Sequence, residues 1–233
     1  MTISKDMSTK PEVLVNVTRG PLIESRHYGH IAVVDNRGVL IASVGDPFYR
    51  THLRSSAKPL QTLAVVLSGA DTHYRFDEKE LAIMSASHYG EESHRATVQS
   101  ILDKTGNATS DLLCGSVFSL NNDYALQMAL KGHHENPLFS DCSGKHAGML
   151  AVCRLKGWDT KNYIEPEHPL QKFIVEIIAK ISELNIEEIN IATDGCGAPV
   201  HGMPLYNMAL AFARMATPVD LDENMTVACN RVF

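Results

Sequence analysis

The sequence predicts an α+β fold, a small antiparallel sheet at the front of the chain followed by a mostly helical body. Three observations carry this. Two short β-branched runs, 29–34 and 39–44, flank Asn36-Arg37-Gly38, a pattern for an antiparallel hairpin with Gly38 in the left-handed region. Leu170, Phe173, Ile174, Ile177, Ile178, Ile181 and Leu184 recur at the 3.6-residue period, which predicts an amphipathic helix over 168–185. Strand-like patterns concentrate before residue 50 and helical ones after it, which suggests an α+β or α/β sandwich-like arrangement with the sheet mainly at the chain start.

The elements follow in order. Residues 1–12 are polar and read as a flexible N-terminal arm, leaving 13–233 as a single domain. Residues 13–18 alternate like a strand and meet a Gly20-Pro21 turn. With the hairpin they make three strands with one apolar face, a thin sheet open at both edges. A helix over 56–67 tolerates Pro59 because its first turn has no N–H to lose. Asp77 and Glu80 form a capping box for 78–86. Further helices are expected over 92–104, stopped by Gly106, over 123–131, and over 145–156, stopped by Gly157. A short strand at 189–193 runs into Asp194-Gly195-Cys196-Gly197. A last helix after Pro204 carries Leu205, Met208, Ala209, Phe212 and Met215 on one face.

Composition narrows the function. Apolar residues make up 44% of the 233 and charged residues 21%, so the chain folds rather than staying disordered. Lys and Arg number 21 against 27 Asp and Glu, a net charge of −6 that argues against a nucleic-acid partner, which would want a basic stripe. No apolar run approaches a membrane span, and the first eleven residues lack a signal peptide's apolar core. Five scattered cysteines, an odd number, fit a reducing, cytoplasmic setting, with Cys114, Cys153 and Cys229 in apolar surroundings where they pack. Neither a dinucleotide fingerprint nor a P-loop occurs.

Several residue groups could carry chemistry. Ser55 and Lys58 are one helical turn apart, an arrangement in which an amine can take the proton of a nucleophilic hydroxyl. Ser87 and His88 offer a second hydroxyl and a hydrogen-bond donor at a helix–loop–helix junction. Asp141-Cys142-Ser143-Gly144-Lys145-His146 gathers a thiol, a hydroxyl, an amine and an imidazole, and Cys196 adds a thiol in a glycine-rich turn. Two such cysteines could ligate zinc with a His or a deprotonated Lys as third ligand. Arg54, Asn121, Asn122, Asp123 and Gly195 could clamp an amino-acid ligand. Each group also has a plainer reading: capping serines, a solvated lysine, inert buried thiols, and polar turn residues.

As an ordered set these segments resemble the bacterial and fungal L-asparaginase II family, the thermolabile or rhizobial type. The segments are Val17-Thr18-Arg19-Gly20, the 54–59 step, Ser87-His88-Tyr89-Gly90-Glu91, Asn121-Asn122, Cys142-Ser143-Gly144-Lys145-His146 and Asp194-Gly195-Cys196-Gly197. The resemblance implies a serine β-lactamase- and glutaminase-like fold, an antiparallel sheet covered by helices. It implies hydrolysis of L-asparagine to L-aspartate and ammonia through an acyl-serine. Ser55 matches the nucleophile with Lys58 as base, and Ser87 the serine of a second Ser–Lys pair. Cys142, Lys145 and Cys196 match a zinc site, and Arg54, His88, Asn121, Asn122, His146, Asp194 and Gly195 fall in the substrate pocket. A homodimer acting on a small amino acid, without nucleic acid or membrane, is implied too.

The resemblance further implies a C-terminal part holding the lysine that partners Ser87 and strands that complete the sheet. The chain is thus expected to be C-terminally truncated, with an incomplete sheet. A truncated, non-catalytic fragment retaining a zinc-binding or interaction surface is the alternative to an active amidohydrolase. A penicillin-recognising acyl-serine protein shares the Ser-x-x-Lys step but not the Cys142/Lys145/Cys196 set.

Overall fold

The computed structural model describes residues 10–233. Most of the expected arm, residues 1–9, lies outside the described residues, and Glu12 already begins a strand. Strand β1 (Glu12–Arg19) pairs antiparallel with β2 (Leu22–Gly29) across Gly20, whose φ is +58°. Strand β3 (Ile31–Val34) pairs with β4 (Leu40–Val44) as the Asn36-Arg37-Gly38 turn predicts, with Gly38 at φ +78°.

The expected three-stranded front sheet is not what forms. Among the described residues the strands make separate sheets: β1–β2, β3–β4, and a third in which β5 (Arg50–His52), β7 (Pro199–Pro204) and β6 (Asn190–Thr193) lie in the order β5-β7-β6. Two causes are visible. The run 13–18 takes as partner Leu-Ile-Glu-Ser-Arg-His-Tyr-Gly, a segment without apolar alternation that is paired through the tight turn before it. The third sheet joins chain segments about 150 residues apart, which no local pattern announces. Small antiparallel sheets that do not close, beside a larger helical body, make the class α+β.

The helices are α1 (Lys58–Leu67), α2 (Ala70–Tyr74), α3 (Glu78–Ser85), α4 (Glu92–Thr105), α5 (Asn122–Leu130), α6 (Ser143–Lys156), α7 (Pro169–Ser182), α8 (Leu205–Ala216) and α9 (Glu223–Val232). The Asp77 carboxylate accepts from Glu80 N at 2.9 Å and Glu80 Oε2 accepts from Asp77 N at 2.9 Å, completing the capping box of α3. Helix α7 buries the expected face, with Leu170, Ile174, Ile178 and Ile181 inaccessible, and starts from a His168 side-chain cap. Burial of each such side chain stabilises the fold by roughly 1.5–3 kcal/mol.

Helix α6 runs through the centre and is buried from Ser143 to Cys153. Gly144 allows this. A Cβ there would stand 2.7 Å from the carbonyl carbon of Ile83, so only a glycine lets α6 lie directly on α3. Helix α9 packs Met225, Ala228 and Cys229 against α1, closing the far side of the core. Cys114, Cys153 and Cys229 are buried free thiols.

Candidate active site

Four chain ends meet around the N-terminus of α6: the turn Arg54–Ala57 leading into α1, the segment after α3, the start of α6, and the β6–β7 loop. Lys58 opens α1 and is 1% exposed. Its Nζ donates to Ser87 Oγ at 2.5 Å and to the Asp141 carbonyl at 3.3 Å, and lies 3.5 Å from the Asp141 carboxylate. The buried amine therefore rests on Ser87, a residue 29 positions away.

Ser55, three residues from Lys58, lies exposed on the turn. No hydrogen bond joins its hydroxyl to Lys58 among the described residues. The turn is 3₁₀ rather than α, and Arg54 at its first position sits at φ +53°, a left-handed conformation costing a non-glycine residue about 1–2 kcal/mol. The strain is held by an ion pair, Arg54 Nε to Asp194 Oδ1 at 2.8 Å, which ties the serine turn to the β6–β7 loop.

His88 is buried beside Ser87. Its Nδ1 accepts from Gly90 N at 3.0 Å, so Nε2 carries the proton toward Ser143 Oγ at 2.9 Å. Burial, and then the neighbouring His94 ring, push its pKa down to about 4, and the imidazole is neutral at pH 7. His88 N also donates to the Asp141 carbonyl at 3.4 Å, the oxygen that accepts from Lys58. Asp141 and Ser143 thus clamp the Ser87–His88 segment from below.

The thiols form a second cluster. Lys145 Nζ donates to Cys196 Sγ at 3.1 Å, and Cys196 lies 3.9 Å from Asp194 Oδ2. Cys142 shares a hydrogen bond with Cys196. That bond, helped by His146 and the Lys145 charge, drives Cys196 toward the thiolate, and it drives Cys142 upward. His146 is wholly buried, with Nδ1 on the Tyr163 hydroxyl at 2.8 Å and, among the described residues, no hydrogen-bond partner for Nε2. His201 on β7 is fully buried with both ring nitrogens unpartnered among the described residues, and burial lowers its pKa to about 4.

Two sulfurs and an orphaned imidazole nitrogen are donor types zinc selects, and the Lys145 amine beside them is a further nitrogen. Among the described residues no group of three or more His, Cys, Asp and Glu side chains could hold a metal ion. The set fits zinc in kind once Lys145 is counted as a ligand, which requires it to lose its proton.

The remaining expected residues are more dispersed. Asn121 caps α5, accepting from Tyr124 N at 3.2 Å and donating to Glu91 Oε1 at 3.1 Å, so it supports the loop beyond Ser87. Asn122 is exposed at the first position of α5. Gly195 is exposed at the tip of the β6–β7 turn, with open space where a side chain would be. Asp141, Ser143 and Tyr163 join the expected residues at the site. The first two stand inside the motif around Cys142, a signal that could have found them; Tyr163 has none.

The family model described as L-asparaginase II matches residues 15–233. The chain belongs to the L-asparaginase II family. No curated protein matches it. Membership supports an asparaginase-type amidohydrolase in general, with a small molecule as substrate. Among the described residues no helix is long and apolar enough to cross a membrane.

Proposed function

We propose that this family member hydrolyses L-asparagine to L-aspartate and ammonia through an acyl-serine intermediate. The observation that carries the reading is the contact of the buried Lys58 amine with Ser87 Oγ at 2.5 Å. In the mechanism, Ser55, exposed and without a hydrogen bond to Lys58 in this structure, turns toward the amine, attacks the side-chain amide carbon and passes its proton to Lys58. Lys58 hands a proton through Ser87 to the departing nitrogen, and ammonia leaves. Water then attacks the ester, with the same amine as base, to release L-aspartate. The Asp141 carbonyl accepts from the Lys58 amine at 3.3 Å and its carboxylate stands 3.5 Å away, which holds the amine against Ser87. Arg54 and Asp194, ion-paired with each other at 2.8 Å, would have to part to take the substrate's carboxylate and ammonium ends.

Cys142, Cys196 and Lys145 would hold a zinc ion next to this centre. It would supply a positive charge that organises the α6 and β6–β7 loops, with thiolates damping its Lewis acidity. Self-association as a homodimer fits the apolar surface of the front strands. A non-catalytic role for the same fold is the second reading, and that surface favours it too.

Ammonia release from L-asparagine by the intact chain tests the assignment. Turnover is expected, with loss in Ser55→Ala and a trapped acyl-enzyme in wild type only. A folded, zinc-replete chain releasing no ammonia would sink the active-enzyme reading. For the shuttle, Ser87→Ala should be impaired most on substrates with poor leaving groups; equal impairment on an activated aspartyl ester would remove Ser87 from that role.

A further inference from the structure

A cleft of about 430 Å³ lies between α4 and α5, and none of its lining residues belongs to the cluster around Lys58. Its volume lies within the roughly 300–1,000 Å³ of small-molecule sites. Its floor is apolar, formed by Met128 and Leu138. Its walls carry Arg95 from α4, Lys131 at the C-terminal cap of α5, Glu92 at the start of α4, and the Tyr124 hydroxyl. Among the described residues Arg95, Lys131 and Glu92 have no ion-pair partner. Arg95 is nevertheless held in place: Nε donates to the Gly90 carbonyl at 3.1 Å, one Nη to Tyr124 at 3.0 Å, and the guanidinium lies 4.5 Å from the Phe139 ring centre. A fixed guanidinium with an unpaired charge is a preorganised carboxylate receptor.

We infer that this cleft is a second ligand site, for an acidic amino acid. Arg95 and Lys131, from opposite walls, take the two carboxylates, Glu92 takes the ammonium, and the short methylene body lies on Met128 and Leu138. Every unpaired charge named in the cleft is thereby used. The occupant would also brace the Gly90 carbonyl through Arg95, two residues from His88. The class includes L-aspartate, the product of the proposed reaction, but the site stands on its own residues and does not need that reaction.

Calorimetric titration of L-aspartate into the full chain tests it, using Ser55→Ala saturated with L-asparagine to occupy the catalytic centre. Binding should persist there. It should weaken about tenfold in Lys131→Gln, the loss of one charge-assisted hydrogen bond. Glu92→Gln should weaken L-aspartate and not succinate, which lacks the ammonium. Both positions are exposed, and unchanged melting curves establish that the variants fold. Wild-type affinity in both variants, or loss of binding on saturation with L-asparagine, would overturn the inference. Absence of ammonia release with cleft binding intact would refute the proposed reaction and leave the cleft standing.

Discussion

At the scale of residues, the pairing of hydroxyl and amine is decided by where the Lys58 stem can lie. The amine is buried and reaches Ser87 and Asp141. Lys58→Met should lower turnover about 10²–10⁴-fold, the usual worth of a positioned acid–base group, measured as ammonia release. Cys196→Ser should abolish zinc in the purified chain by elemental analysis; full retention of metal would exclude the thiol pair as its site. The buried histidines give a pH dependence of known sign. His88 and His201 have folded pKa values near 4 against about 6.5 when unfolded, so the unfolded chain binds more protons between these values. Their contribution is complete above pH 6.5 and is lost as pH falls toward 4, on the order of 1–3 kcal/mol each. Thermal melts should therefore fall steeply between pH 6.5 and 4.5, and His88→Gln should flatten that slope.

At the scale of elements, the site depends on α6 lying hard against α3. Gly144→Ala forces its new Cβ onto the Ile83 carbonyl and should cost about 1–3 kcal/mol, since neither backbone can yield without moving the other. It should also pull Cys142 and Lys145 away from Cys196. Gly195→Ala is the control, because its Cβ meets nothing, and its melting temperature should stay near wild type. The caps and faces of α3 and α7 were legible because both are local: Asp77 and Glu80 are three residues apart, and the α7 stripe repeats every turn. Helix α9 was missed, although Met225, Ala228 and Cys229 hold the same spacing, because its polar neighbours outweigh three small contacts. Strand β7 was missed for the opposite reason. It is buried on both faces, so Pro-Val-His-Gly-Met-Pro shows no alternation.

At the scale of the molecule, the front strands leave apolar surface in water. Val15, Leu22, Ile23, Tyr28, Ile41 and Tyr49 are all exposed on β1, β2, β4 and the segment after it, far more than scattered surface residues need. Edges of such ribbons template pairing. The isolated chain should self-associate by light scattering, and Ile23→Lys with Ile41→Lys should shift it toward monomer. A monodisperse wild-type monomer with a cooperative melt would refute this.

By itself the sequence determined the class of the fold, its main helices and the residue types of the site, because caps, periodicity and short motifs are written in neighbouring residues. The family followed from the order of those motifs. Only the tertiary structure decided which groups touch. Lys58 meets Ser87 across 29 residues, Arg54 meets Asp194 across 140, and Lys145 meets Cys196 across 51. Contacts at such separations are set by how α1, α3 and α6 pack and by the strand pairing of β5 with β7, and no window of sequence contains both partners.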